Sequence, residues 1–174
     1  MRTAIMLTMV AAVSNLFAIN GTLITETETL KGDIRWQGRN KQYIISIMKG
    51  KTPIEMERKL VDVTGLDIPV PAGYERAVGQ VEAGQGLAAI PVLEKIVSSY
   101  RMLQWDKPAG RHLALAYIAA DQAQKAYDAC MAIIAEDKSA AYSGDLAYAY
   151  WQSLLKLGKT EQLEANLKKA AASG

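Results

Sequence analysis

The sequence predicts an α+β protein, in which a small antiparallel β module over residues 22–68 precedes an all-α region over residues 69–174. Three observations predict this division. Apolar residues recur at every second position in the first region, as on strands, and at every third or fourth position in the second, as on helices. Pro69, Pro71 and Gly73 separate the two patterns. In the second region, three eighteen-residue windows align without gaps at a spacing of 37 residues.

Residues 1–18, MRTAIMLTMVAAVSNLFA, have the composition of an export signal. Arg2 precedes an apolar run that ends in small residues. Ser14 and Asn15 interrupt this run before it reaches the roughly 20 apolar residues that a transmembrane helix needs. The alternative is a buried first helix or strand. As a signal, the segment predicts export to the periplasm or cell envelope of a bacterium, with no transmembrane segment in the mature chain.

Alternating apolar and polar residues predict the strands of the β module. The alternating runs are found at residues 22–29, 34–37, 43–47 and 54–57, with turn residues at Gly38, 49–51 and Gly65. Four or five short strands in so short a segment predict a meander that curls into a small barrel of the SH3-like kind. This prediction places residues 22–29 on one strand.

The three aligned windows predict three helical hairpins. The windows are AGQGLAAIPVLEKIVSSY, ADQAQKAYDACMAIIAED and LGKTEQLEANLKKAAASG, beginning at Ala83, Ala120 and Leu157. Each has a turn residue in second place and then a ladder of residues at intervals of five, four and three. The ladders are Ala89, Leu93 and Ile96, then Ala126, Cys130 and Ile133, and finally Leu163, Leu167 and Ala170. This spacing puts each ladder on one stripe of a helix, which is expected to be buried.

In the middle repeat, Leu113, Ala114, Tyr117 and Ala126 resemble the large-small-aromatic-small signature of the tetratricopeptide-repeat family. The chain departs from that family in its spacing of 37 residues and in lacking the family's tryptophan and proline. The resemblance implies helix pairs that stack into a superhelix with a concave groove for a protein partner. A β module followed by such repeats, behind a signal, also resembles exported envelope proteins of bacteria.

The resemblance also implies which residues line the groove. The fifth position of each first helix corresponds to Tyr74, Arg111 and Tyr148, which are 37 residues apart, and Leu115 and Gln152 follow one turn later. Tyrosine and arginine are residue types that anchor interfaces. The alternative is that all five are ordinary helix-surface residues. With the groove, the chain is expected to be an exported, non-catalytic scaffold that binds a protein partner.

The sequence predicts no catalytic residue, metal or cofactor. One histidine, His112, and one cysteine, Cys130, are too few for a zinc site, and Cys130 is expected to be buried on its ladder. Residues 84–89 spell the dinucleotide-binding pattern G-x-G-x-x-A, but a helix rather than a strand is predicted before them. Ser153 and Lys156 have the spacing of a serine acylase, although the companion motifs of that family are missing.

The charges do not favour nucleic acid as a partner. The net charge is +2, and the two regions carry eight basic and seven acidic residues, and eleven of each. Arg35, Trp36, Arg39 and Lys41 would suit a phosphate backbone with a stacked base. However, Trp36 alternates with Ile34 and is therefore expected to point inward, away from those charges.

Two other functions remain open. The chain could be a structural subunit of an envelope assembly that self-associates through its last helix, because no polar capping face follows residues 170–172. The alternatives are that residues 170–172 pack against another surface, or that the natural polypeptide continues beyond them. An unrecognised hydrolase that uses serine, lysine or carboxylate groups is the lesser alternative.

Overall fold

A computed structural model describes residues 18–173 and confirms the α+β class. The strands are β1 (Ile19–Thr25), β2 (Thr29–Gln37), β3 (Gln42–Lys49), β4 (Thr52–Lys59) and β5 (Val63–Asp67), with a 3₁₀ helix (Leu60–Asp62) before β5. The helices are α1 (Tyr74–Glu82), α2 (Gly86–Ser99), α3 (Asp106–Ala119), α4 (Ala123–Ile134), α5 (Asp145–Lys156) and α6 (Thr160–Ser173). Apart from its last residue, the predicted export signal lies outside the described residues.

The strands form one antiparallel sheet in the order β4-β3-β2-β1-β5. The register pairs Ile34 with Ile45 and Leu23 with Leu66, so alternate residues of neighbouring strands share a face. Leu23, Ile34 and Ile45 are completely buried on that face. The predicted alternation is therefore present in β1 and β2, whereas the first four residues of β3 are all buried and Ile54 of β4 is 38% exposed.

The sheet is not closed, which corrects the expectation of a barrel. β4 and β5 both stand at the edge of the strand order, and neither pairs with the other. Closure is not needed to cover the apolar face of the sheet, because the segment between α2 and α3 does so. Leu103 from this segment is buried in the sheet core, and Met102 and Trp105 pack against it.

The strand expected at residues 22–29 is also corrected. β1 begins at Ile19 and ends at Thr25, and the chain turns before β2 begins at Thr29. The threonine stabilises this turn, since Thr25 Oγ1 accepts a hydrogen bond from the backbone N–H of Glu28 at 3.1 Å. Alternation alone did not reveal the turn, because threonine and glutamate continue through it.

The three turns within the helix pairs have the same backbone geometry. Gly84, Asp121 and Gly158 all adopt positive φ angles, of 75°, 58° and 67°. The N–H of each donates to the carbonyl three residues earlier at 3.1 Å, a pattern of helix C-termini that end in a left-handed residue. Turn residues that are 37 positions apart in the sequence therefore have the same backbone geometry.

Burial of the helical ladders differs between the repeats. The ladder residues of α2 and α4 are all buried in one helical core. In α6, by contrast, Leu163 and Ala170 are only half-buried, and Leu167 is 43% exposed. No further helix follows α6 in the described residues to cover this stripe.

Hydrogen bonds to the residues just before α3 attach the sheet to the helices. The Tyr43 hydroxyl donates to the Met102 carbonyl at 2.9 Å. Ile68, which follows β5, is bonded twice: its N–H donates to Gln104 Oε1 at 3.0 Å, and its carbonyl accepts from Trp105 Nε1 at 2.8 Å.

Within residues 18–173, no helix combines the length and the apolar character needed to cross a bilayer.

Candidate functional site

The five residues implied by the repeat resemblance lie on the first helix of each pair. Tyr74 begins α1, Arg111 and Leu115 lie one turn apart on α3, and Tyr148 and Gln152 lie one turn apart on α5. α3 packs against both α1 and α5. We call these five residues the first-helix surface.

The structure places Tyr74 against His112, the residue that follows Arg111 in the sequence. The Tyr74 ring packs against Trp105, with ring centroids 5.2 Å apart, and edge-on against His112 at 6.1 Å. Burial raises the pKa of Tyr74, the charge of Asp145 raises it further, and the charge of Arg111 opposes both. The charges of Arg111 and Asp145, on neighbouring first helices, therefore both act on the Tyr74 hydroxyl.

Two nitrogen atoms at this place have no hydrogen-bond partner among the described residues. They are Arg111 Nε and His112 Nδ1, and both are buried atoms. Arg111 Nε always carries a hydrogen to donate. A buried donor without an acceptor is costly. Solvent reaches neither atom, so a binding partner would have to approach the rest of Arg111, which is half-buried and forms no ion pair among residues 18–173.

The other three residues differ in exposure. Tyr148 is 54% exposed, Gln152 is half-buried, and Leu115 packs partly against the helical core. No ring contact or hydrogen bond among the described residues joins Tyr148 or Gln152 to the pair of Tyr74 and Arg111. The structure therefore assembles one polar cluster, around Arg111, and leaves Tyr148 as a separate exposed aromatic side chain.

Three groups near this cluster were missed from the sequence as parts of a site. Trp105 and His112 contact Tyr74, and Asp145 acts on it by charge. From the sequence, His112 was weighed only as a metal ligand. The sequence could have placed His112 in this cluster, because His112 directly follows Arg111. It could not have placed Asp145 there, because the position of Asp145 relative to Tyr74 depends on how α5 packs.

The three described cavities lie elsewhere. The largest, of ≈1060 Å³, lies between α2 and α4. The second, of ≈730 Å³, lies where the sheet meets the helices. The third, of ≈620 Å³, lies between α4, α5 and α6. None of the five residues of the first-helix surface lines any of them.

Cys130 and residues 84–89 are placed as predicted. Cys130 is buried, and burial raises the pKa of its thiol to about 12. Ser153 is completely buried and donates to the Tyr150 carbonyl at 2.6 Å. Residues 84–89 follow α1 directly and begin α2, so they form a turn between helices. Among residues 18–173, no group of three histidine, cysteine, aspartate or glutamate side chains could hold a metal ion.

The basic hairpin between β2 and β3 also has the orientation expected. Trp36 packs against Tyr43 on the apolar face of the sheet, with ring centroids 5.0 Å apart. Arg35 pairs with Glu55 at 3.3 Å. The tryptophan is therefore part of the sheet core, and one of the nearby positive charges is paired with a carboxylate.

No family model, curated protein or solved structure matches this chain. The repeat resemblance therefore rests on the residues of this chain.

Because His112 is the single histidine, its titration reports on the cluster around Arg111. Burial lowers the pKa of His112 below its ordinary value of 6.5, the charge of Arg111 lowers it further, and Glu82 and Asp145 oppose this. The folded protein therefore binds fewer protons here than the unfolded chain, and the stability contributed by neutral His112 is lost as the pH falls below 6.5.

We expect NMR titration of the imidazole to give a pKa below 6.5. Arg111→Ala should raise this pKa, and Asp145→Asn should lower it, because each removes one charge that acts on the ring. Lys168→Ala, on exposed α6, is the control and should change nothing. Equal pKa values in the wild type and both variants would contradict the arrangement described above.

Proposed function

We propose that this chain is a non-catalytic interaction protein that acts outside the bacterial cytoplasm. In this proposal, the three helix pairs form a tetratricopeptide-like array, and its first-helix surface binds a protein partner. Export depends on residues 1–18 acting as a signal. The β module is proposed to be an open relative of SH3-like barrels.

The observation that carries the proposal is the half-buried Arg111, which forms no ion pair among residues 18–173. An arginine that is partly buried and lacks an acceptor is suited to bind a carboxylate or carbonyl of a partner. The exposed Tyr148 offers a second anchor of a residue type that is enriched at interfaces. The repeated backbone turns support the stacking of helix pairs that such a surface requires.

One ion pair supports the SH3-like proposal for the β module. Arg58 Nε, near the end of β4, donates to Glu28 Oε1 at 2.6 Å. Glu28 lies in the turn between β1 and β2, so this contact reaches across the sheet from its β4 edge. This contact supports the proposal of a curled sheet, although β4 and β5 do not pair.

The proposal is tested by comparing capture of a partner by the wild type and by surface variants. Tagged protein is incubated with the envelope fraction of the source bacterium, and bound proteins are identified by mass spectrometry and then titrated. We expect the double variant Arg111→Glu, Tyr148→Ala to weaken binding by at least about thirtyfold, because both anchors are lost. Adding Tyr74→Ala should weaken it further.

Two controls keep this test specific. Lys95→Ala with Lys125→Ala changes one exposed residue on α2 and one on α4, both at the cavity between these helices, and should leave capture unchanged. Circular dichroism must show that every variant is folded, since Tyr74 also packs against Trp105. Undiminished capture by the folded double variant would exclude the first-helix surface as the binding site.

One observation favours the alternative of a structural subunit that self-associates. Leu167 of α6 is 43% exposed, whereas Leu93 and Cys130 at the same place in the other repeats are fully buried. A second copy that covered this stripe would bury it in the same way. Light scattering decides between the alternatives, because a monomer at all concentrations would argue against an assembly. The hydrolase alternative gains no support from Ser153, which solvent does not reach.

A further inference from the structure

A cleft opens where the unclosed sheet meets the helices, and we call it the junction cleft. Its volume is ≈730 Å³. Residues 63–66 of β5, the residues just before and at the start of α3, and residues 136–139 after α4 line it. The junction cleft is separate from the first-helix surface, since it contains none of that surface's five residues.

β5 borders the junction cleft with its main chain. Four consecutive residues of the strand, 63–66, line the cleft, whereas a sheet face would contribute only alternate residues. β5 is the last strand in the sheet order, and it pairs on one side with β1. In an antiparallel pair, alternate residues direct their N–H and C=O groups away from the partner. Within residues 18–173, no strand pairs with these outward groups of β5.

Unlike the outward groups of β5, the backbone groups just after this strand have hydrogen-bond partners. The N–H and C=O groups of Ile68 are both occupied, by the side chains of Gln104 and Trp105. The protein thus satisfies the backbone at the end of this strand with its own side chains. Unpaired strand edges readily accept an additional strand, and β5 remains available for one beside the cleft.

The carboxylates of the junction cleft are all engaged by groups of the protein. Asp106 is 3% exposed and accepts from the N–H groups of Met102 and Lys107 at 2.8 and 3.0 Å. Asp137 pairs with Lys107 at 2.5 Å. Glu136 forms an ion pair with Arg101.

Two lysines of the junction cleft are left without a carboxylate. Lys41 and Lys138 are both exposed, and neither forms an ion pair among residues 18–173. The lining carries three lysines and three carboxylates, and Arg101 beside Glu136 adds a fourth positive group, so the net charge of the cleft is +1. An occupant with negative charges would be favoured.

We propose that the junction cleft binds an extended, acidic peptide segment of a partner protein, which adds to β5 as a further strand. The backbone of the peptide would bond to the outward N–H and C=O groups of β5, and its acidic side chains would approach Lys41 and Lys138. β5 has five residues, so the bound segment would be of similar length. This binding surface is additional to the first-helix surface and does not depend on it.

The probe is a fluorescent seven-residue peptide of alternating valine and glutamate, compared with versions that carry glutamine or lysine in place of glutamate. Fluorescence anisotropy should show that the glutamate peptide binds about tenfold more tightly than the glutamine peptide, and the lysine peptide most weakly. Two N-methylated glutamate peptides test strand addition, with methyl groups on odd or on even residues. One pattern should abolish binding and the other should leave it, because only alternate N–H groups face β5.

Protein variants locate the binding. Lys41→Glu with Lys138→Glu should weaken the glutamate peptide about tenfold or more and should strengthen the lysine peptide. The matched control, Lys49→Glu with Lys51→Glu, changes two exposed lysines at the turn between β3 and β4, outside the cleft. This control should bind as the wild type does, within about twofold.

The proposal is overturned if the three peptides bind equally, or if none of them binds. Equal effects of both N-methylation patterns would exclude strand addition. Loss of binding in the variant Arg111→Glu, Tyr148→Ala, with full binding in Lys41→Glu, Lys138→Glu, would place the peptide on the first-helix surface instead.

Discussion

Replacing Leu93 by alanine is expected to lower the free energy of unfolding by about 2–5 kcal/mol, whereas the same change at Leu167 should cost less than about 1 kcal/mol. The two leucines hold equivalent places in the aligned windows. Leu93 is fully buried and Leu167 is 43% exposed. Removing a buried side chain leaves a cavity, while removing an exposed one leaves mainly solvent-filled space.

Denaturant titration of both variants measures this difference. For a chain of this length, the midpoint of thermal unfolding of Leu93→Ala should fall by about 5–15 °C. Leu167→Ala is the matched control, since its chemistry is identical. Similar losses in the two variants would mean that the last helix is covered in solution, as the alternative of a self-associating subunit requires.

The sequence predicted the helix pairs well because the signal for each turn is local. Gly84, Asp121 and Gly158 are residues that tolerate a left-handed backbone, and all three adopt it. The ladder of the first two windows was also predicted correctly, since apolar residues at helical spacing need a packed neighbour. The ladder in α6 has the same spacing but lacks that neighbour in the described residues. Sequence spacing does not report what covers a stripe.

The closure of the sheet could not be predicted in the same way. Alternation indicates which residues share a face, but it does not indicate what covers that face. Leu103, Met102 and Trp105 belong to the connection between α2 and α3, and they fill the space in the sheet core. Their contribution depends on contacts between distant parts of the chain, such as the bond from Tyr43 to Met102. The unpaired edge of β5 could not be predicted for the same reason, because it also depends on how distant parts of the chain pack.

The candidate site stays a prediction. Its residues followed from a repeat resemblance, and in the structure the charge of Arg111 acts on Tyr74. Asp145 and Trp105 reach the same place from other turns of the helical region. No pattern in the sequence connects them to Arg111. The junction cleft was missed because it forms between the sheet and the helices, which were predicted as independent units.

Gly32→Ala is expected to destabilise the sheet by about 3 kcal/mol, the upper part of the usual range for overpacking. A Cβ atom at Gly32 would lie 2.2 Å from the Ser46 backbone carbonyl oxygen and 3.0 Å from Ile47 Cγ2. β2 and β3 pair directly beside this position. The backbone of β3 cannot move away without breaking hydrogen bonds to β2 or β4, so the strain is not relieved by a simple side-chain rotation.

Gly79→Ala provides the matched control and should have the opposite sign. Gly79 lies inside α1, and a Cβ atom there would meet nothing within 4 Å. Alanine should therefore stabilise the protein by about 0.5–1 kcal/mol, because glycine loses more backbone freedom in a helix. Denaturant titrations of the two variants give both values. A loss at Gly79, or no loss at Gly32, would contradict the packing of the corresponding element, because the substitution is identical and only the space around the glycine differs.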